Sequence, residues 1–231
     1  GERGAAGAAG GPAMITVMLV EDHASYRQAL EAVIAMEADL RVVAQVERGD
    51  QAGVAAAAHR PDVAVVDLDL PHASGVDALV EIRRQSPTTA CLVLTALTDD
   101  VEMGRSVEAG AAAVVHKSID VAHLLQAVRA VAGGASLLSA PETSRWLQAL
   151  AAAREQLWHA QALNDSLSPR EAEVLEQLSR GHSSQDIART LGIAPDTVQT
   201  HIRNLLAKLG VGSRLEAVAK ALRLGLVPPP R

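Results

Sequence analysis

Five short apolar runs punctuate the first half of the chain at about 15–20, 40–46, 63–67, 90–95 and 113–116. Helical patterns fill the intervals and follow the last run, at about 24–37, 50–59, 76–85, 99–109 and 120–131. The runs are rich in β-branched residues and bounded by turn signals such as Pro61-Asp62, the pattern of strands buried on both faces of a parallel sheet. Strands alternating with helices of this length form βαβ units with right-handed crossovers. The expected product is a doubly wound α/β domain whose five parallel strands take the order 2-1-3-4-5.

Beyond Gly133-Gly134 the pattern turns wholly helical. Pro141 opens a stretch to about Leu163 in which Trp146, Leu150, Ala153, Leu157 and Ala160 recur at spacings of 4, 3, 4 and 3, a heptad seam. A dimeric coiled coil and a linker helix lying on one of its own domains both fit so short a seam. Ser168, Pro169 and Glu171 then read as N-cap, first helical residue and capping-box partner of a helix with Val174, Leu175 and Leu178 inward. Ser183 with Asp186 begins a short helix, and Gly192 makes a turn. Pro195 starts a third helix with Val198, Ile202, Leu205, Leu206 and Leu209 inward, and Ser213 with Glu216 opens a fourth. Helix, glycine turn, helix is a helix-turn-helix signature. The expected organisation is a disordered Gly/Ala-rich extension (1–13), the α/β domain (14–133), a linker helix (134–164) and an all-α four-helix domain (165–231).

Charge separates the two halves. The 231 residues carry a net charge of −6, yet Ser166–Arg231 holds nine basic and six acidic residues, a balance of +3, which leaves −9 on the rest. The mildly basic end is the candidate for nucleic acid and the acidic part the candidate for a cation. With two Trp, one Tyr and no Phe, base-stacking platforms for single strands are not expected. Cys91 is the only cysteine and lies within an apolar run, so it reads as a small buried hydrophobe. No apolar run is long enough to span a bilayer and no signal-peptide order is present, so a cytoplasmic setting without membrane contact is expected.

Four of the five apolar runs end in chemistry. Ile15–Val20 runs into Glu21-Asp22, Val63–Val66 into Asp67, Ala90–Leu94 into Thr95, and Ala113–His116 into Lys117. In open α/β sheets, ligands collect beyond the carboxyl ends of the strands. Two acids, one acid, one hydroxyl and one lysine on that rim suit phosphoryl transfer onto a carboxylate. Glu21, Asp22 and Asp67 can hold Mg²⁺. Lys117 offers a point cation to phosphoryl oxygens, and Thr95 a hydrogen bond. A lone acid at a strand end is more often a helix cap, but five positions in this order are not explained by capping.

Residues 14–133 resemble a two-component response-regulator receiver domain, through Glu21-Asp22, Asp67 with Pro71 and Gly75, Thr95-Ala96, and Lys117. The resemblance implies a flavodoxin-like fold with Asp67 as phosphoacceptor. It also implies Mg²⁺ on Asp22, Asp67 and the backbone carbonyl of Asp69 with Glu21 assisting, and phosphoryl sensing by Thr95 and Lys117. One position departs from the family pattern: Val114 stands where a switch aromatic is usual, which bears on how the phosphoryl state is transmitted.

Residues 167–227 resemble the LuxR-type helix-turn-helix. The motif is Leu-Ser-Pro-Arg-Glu (167–171), Gly181, Ile187-Ala188, Thr197-Val198, His201, Lys208-Leu209, Ser213-Arg214 and Glu216-Ala217-Val218. Together the two halves resemble NarL/FixJ-type regulators. The helix from Pro195 is expected in the major groove of double-stranded DNA, with Thr197, Gln199, Thr200, Arg203 and Lys208 outward. Arg203 suits guanine and Gln199 adenine, while Thr197, Thr200 and Lys208 suit phosphates. The family usually carries lysine at Gln199 and serine at Ala194. His182 and His201 lack Cys or His partners at metal-like spacing and read as structural.

The implied function is a DNA-binding transcription regulator, not an enzyme. A sensor histidine kinase would phosphorylate it on Asp67, and it would dimerise through its C-terminal helix and possibly the linker helix. Two rivals stand beside this. One is the same architecture without phosphorylation control, suggested by Val114. The other is an aspartyl-phosphate phosphatase built on Asp67-Leu68-Asp69.

Overall fold

The computed structural model describes residues 14–71 and 73–228. The expected N-terminal extension, 1–13, lies outside the described residues. The chain forms two compact units, one running to Leu150 and one from Ala151.

In the first unit, strands β1 (Ile15–Val20), β2 (Leu40–Val46), β3 (Val63–Val66), β4 (Ala90–Thr95) and β5 (Ala113–His116) alternate with helices α1 (Ala24–Ala35), α2 (Ala52–His59), α3 (Gly75–Gln85), α4 (Asp100–Glu108) and α5 (Val121–Ala132). The sheet is parallel with order β2-β1-β3-β4-β5, as the alternation predicts. Every residue of β3 is buried, because helices cover both faces of the central strands. One face packs Met18, Val20, Val66 and Val93 beneath α2 to α4. The other packs Val17, Leu19, Val65 and Leu92 beneath α1 and α5. Cys91 lies in the first of these layers at 1% exposure, and burial pushes its thiol up to about 11, so it is inert core.

α6 (Ala140–Ser166) is one helix that begins in the first unit. Its seam divides. Trp146 and Leu150 are buried at 7% and 2%, against the face of α4 carrying Met103 and Gly104, whereas Leu157 is 66% exposed. The first half of the seam therefore lies on its own domain.

The second unit holds α7 (Pro169–Ser179), α8 (Ser184–Leu191), α9 (Pro195–Leu209) and α10 (Arg214–Arg223) around Val174, Leu175, Ile187, Val198, Leu205 and Leu209. Its helix starts are written locally. Ser168 with Glu171, and Ser183 with Asp186, form full capping boxes. Ser213 caps α10, but Glu216 reaches back one residue further than a box requires, accepting from the Gly212 N–H at 3.1 Å. Ala194 caps α9 without a side-chain hydrogen bond.

Candidate phosphoryl-acceptor and nucleic-acid sites

The acid cluster is assembled by strand register. β1 and β4 flank β3, pairing Val20 and Val93 with Val66, so Glu21, Asp67 and Thr95 leave adjacent strands on one edge. Burial there is nearly complete: Glu21 and Asp67 are 3% exposed and Thr95 1%. Lys117 spans the cluster, its Nζ donating to Glu21 Oε2 at 2.7 Å and to Asp67 Oδ2 at 2.8 Å. Its stem passes the Tyr26 ring, with Nζ 4.8 Å from the ring centre. Thr95 accepts from the Leu97 N–H at 3.0 Å, and its carbonyl accepts from the Lys117 N–H at 2.8 Å. The second of these bonds ties Thr95 to the segment that carries the lysine.

The loop after β3 is shaped by glycine. Gly75 starts α3 so close to the Asp67–Leu68 backbone that a Cβ would sit 2.1 Å from the Asp67 carbonyl oxygen and 2.5 Å from Leu68 Cα. Only glycine allows that approach. The Gly75 N–H donates to the Leu68 carbonyl at 3.0 Å, closing the loop.

Burial pushes the Asp67 carboxyl above the usual carboxylate range, Glu21 adds to that, and Lys117 opposes both. For Lys117 itself, burial is the largest influence and favours the neutral amine. The hydrogen bonds to Asp67 and Glu21 outweigh it and hold the ammonium up. One lysine therefore faces two buried carboxylates.

A third acid is poorly satisfied. Asp22 Oδ1 is buried without a hydrogen-bond partner and lies 2.9 Å from His23 Nδ1, a nitrogen that also bonds Glu21 Oε1 at 2.9 Å. Carboxylate oxygens of Glu21, Asp22 and Asp67 and a His23 nitrogen lie within 4.8 Å of one another. An orphaned acceptor among hard oxygen donors fits a divalent cation such as Mg²⁺. The expected set gains His23 as a neighbour, while the Asp69 side chain is exposed and stands outside the group. The Asp69 N–H donates to Asp67 Oδ1 at 3.3 Å.

Reading the sequence missed Arg27. It is 7% exposed and donates to the Glu21 carbonyl at 2.6 Å, to the Asp22 carbonyl at 3.5 Å and to Glu47 at 2.6 Å. It fixes the backbone that carries the two acids. The signal was slight: a cation one turn into α1, on the face that also buries Leu30 and Ile34.

In the second unit α9 presents the predicted face. Thr197, Gln199, Thr200, Arg203 and Lys208 are exposed, while Val198, Ile202, Leu205 and Leu209 are buried. Arg203 has no hydrogen-bond or ion-pair partner among the described residues. Thr200 donates its hydroxyl to the Asp196 carbonyl at 3.0 Å, one turn back in its own helix. Gln199 is held between α8 and α10, donating to Ser184 Oγ at 3.1 Å and accepting from Arg214 at 2.9 Å. Lys208 stands apart from the others. Its Nζ donates to Glu171 Oε2 at 2.6 Å and to the Ser166 carbonyl at 2.7 Å, bracing the start of α7. Burial works against the Glu171 charge, but Lys208 and Ser168 hold its carboxyl below the usual range.

Known proteins share both halves. The family model for the response regulator receiver domain matches residues 17–129, and that for bacterial regulatory proteins of the luxR family matches residues 165–221. Response regulator protein VraR of Staphylococcus aureus (strain NCTC 8325 / PS 47) is 30% identical over 213 residues, covering 92% of this chain and 99% of VraR. The chain belongs to the LuxR-family response regulators. A crystal structure of a LuxR-family two-component response regulator from Aurantimonas sp. SI85-9A1 is 30% identical, with a TM-score of 0.53 over 62% of this chain and 99% of that one. A structure of Salmonella typhimurium RcsB, 21% identical with a TM-score of 0.51, covers 90% of this chain and 97% of its own, and shares the fold. A receiver joined to a LuxR-type DNA-binding domain is the makeup of a phosphorylation-regulated two-component transcription regulator. Among the described residues no helix is long and apolar enough to cross a membrane.

Proposed function

We propose that Asp67 is the phosphoacceptor, and that residues 14–133 act as receiver, 134–164 as linker and 165–231 as DNA-binding domain. The observation that carries this reading is Lys117 spanning Glu21 and Asp67 at the buried end of β3. Asp67 attacks the phosphorus of a phosphohistidine on a sensor kinase. The N–P bond breaks as the Asp67 O–P bond forms, and the imidazole leaves. Lys117 and Thr95 then donate to the phosphoryl oxygens, two fixed donors aimed where negative charge gathers. Asp22, Asp67 and the Asp69 carbonyl, with Glu21 beside them, are the groups that would hold Mg²⁺, which when bound neutralises phosphoryl charge. Gly75 and Arg27 keep the two acid-bearing loops in register.

At the output end, Arg203 and Gln199 read base edges in the major groove of double-stranded DNA, while Thr197 and Thr200 position the helix on phosphates. Lys208 serves as the brace of α7, leaving it less free for a phosphate than its sequence position implies. A homodimer on two half-sites uses α10, where Leu215 is 80% exposed.

The test is intact mass after incubation with Mg²⁺ and acetyl phosphate. One phosphoryl adduct on the wild-type chain and none on Asp67→Asn is expected. Sustained release of phosphate from a generic phosphomonoester would instead favour phosphatase chemistry.

A further inference from the structure

Next to the phosphoryl site lies a cavity of about 250 Å³, between the ends of β4 and β5 and the first turns of α6. Thr95, Met103, Val114 and His116 line it from one side, and Arg145 and Trp146 close it from the other. All of these residues belong to the unit that runs to Leu150.

Three independent features dock α6 there. Trp146 is 7% exposed and belongs to the apolar cluster of Val66, Val93 and Met103, with Val114 packed at its edge. Gly104 of α4 admits the helix: a Cβ at this position would lie 2.5 Å from the Trp146 carbonyl oxygen and 2.9 Å from Leu150 Cβ. Arg145 pairs with Asp100 in the first turn of α4, Nε to Oδ2 at 3.1 Å, with its guanidinium 5.9 Å from the Trp146 ring centre.

Thr95 thus borders both the acid cluster and this cavity. Among the described residues its hydroxyl takes part in one hydrogen bond, accepted from the Leu97 N–H, so the hydroxyl proton is available to a phosphoryl oxygen on Asp67. A Thr95 side chain drawn toward that oxygen withdraws from the cavity wall. Packed interiors answer such a loss by switching to another packing, not by stretching. Val114 is too short to fill the space, and of the large apolar side chains that line it (Leu97, Met103 and Trp146) Trp146 is the one carried by α6.

We infer that Trp146 is the residue through which this chain reads the phosphoryl state of Asp67, by moving in the cavity that it shares with Thr95. The inference rests on the phosphoacceptor reading of Asp67. Because α6 is one helix from Ala140 to Ser166, a shift at Trp146 is carried along its axis and not lost in a loop.

Trp158, the second of the two tryptophans, is 68% exposed, so Trp158→Phe leaves Trp146 as the only indole at little structural cost. Its emission and acrylamide quenching are measured in this full-length variant, before and after Mg²⁺ and acetyl phosphate, with the adduct counted by intact mass in the same samples. The expected result is at least a twofold change in quenching on phosphorylation. In a Thr95→Val background the change per mole of adduct should fall at least fivefold. Gly104→Ala, which pushes α6 outward without touching the acid cluster, should show the altered quenching before any phosphodonor is added. An adduct with unchanged Trp146 quenching overturns the inference. Absence of any adduct overturns the phosphoacceptor reading, and this inference with it.

Discussion

Two lysines in this chain reach buried carboxylates over nearly the same distance, and they do opposite work. Lys117 meets Glu21 and Asp67 at 2.7 and 2.8 Å, and Lys208 meets Glu171 at 2.6 Å. Around Lys117 there are two carboxylates for one ammonium, with the unsatisfied Asp22 Oδ1 nearby. Burial wins at Asp67 and its carboxyl is pushed up. Around Lys208 there is one carboxylate, and it also accepts from the Ser168 N–H and hydroxyl, so Glu171 is pulled down despite burial. The first arrangement is short of positive charge, a deficit that a divalent cation would offset. The second is complete and holds α7 to α9. A lysine–carboxylate contact therefore carries no functional meaning until the charges around it are counted.

Substituting each lysine should separate the two roles. Lys117→Met is expected to slow adduct formation on Asp67 by about 100-fold, since it removes a fixed donor from the phosphoryl oxygens. Phosphorylation by acetyl phosphate followed by mass measures it, and a rate within threefold of wild type would break the comparison. Lys208→Met should leave that rate alone and lower the stability of the second unit by about 2–3 kcal/mol, because Glu171 keeps its burial and loses its charged partner. Denaturant unfolding reads this directly.

The acid behaviour follows from the signs. The Glu171 carboxyl is held below its unfolded value, so its contribution to stability is complete above the ordinary carboxylate range. It is lost as pH falls through the depressed folded value. Glu171→Gln should flatten that part of the acid unfolding curve. Asp67 is shifted upward, so its burial opposes folding once pH rises past the unfolded carboxylate value. Asp67→Asn is accordingly expected to stabilise the first unit at neutral pH while it abolishes the adduct. Thermal melts at pH 7 check this.

Smaller effects belong to the α9 face. Arg203→Ala should cost about 1–3 kcal/mol in specific DNA binding and relax preference at one base pair, with little effect on folding. Duplexes selected from a randomised pool, titrated at fixed salt, measure both. Ala194→Ser should stabilise α9 by about 1 kcal/mol by supplying the missing cap.

Much of this is legible in the sequence. The strand order, the rim of Glu21, Asp67, Thr95 and Lys117, and the inward face of α9 all follow from short-range periodicity. What escaped depends on partners distant in sequence. Glu171 is 37 residues from Lys208, so a helix wheel shows Lys208 as an outward cation and nothing of its carboxylate. Arg27 reads as an ordinary helix cation until its reach to the Glu21 and Asp22 carbonyls is seen. The seam of α6 was ambiguous because apolar spacing states which face is buried, not what buries it. Gly104 opposite Trp146 and Leu150 answers that for its first half.

The central claim is that charge gathered on Asp67 governs what α9 does to DNA. The most direct measurement is the affinity of the full-length chain for one selected duplex at fixed salt. It is taken with and without the phosphoryl adduct, alongside Asp67→Asn given the same treatment. The account predicts tighter binding for the adduct-bearing wild type, with Asp67→Asn remaining at the unphosphorylated value. Equal affinity in all the samples, with the adduct confirmed by mass, would contradict it and favour a regulator that binds DNA regardless of its phosphoryl state.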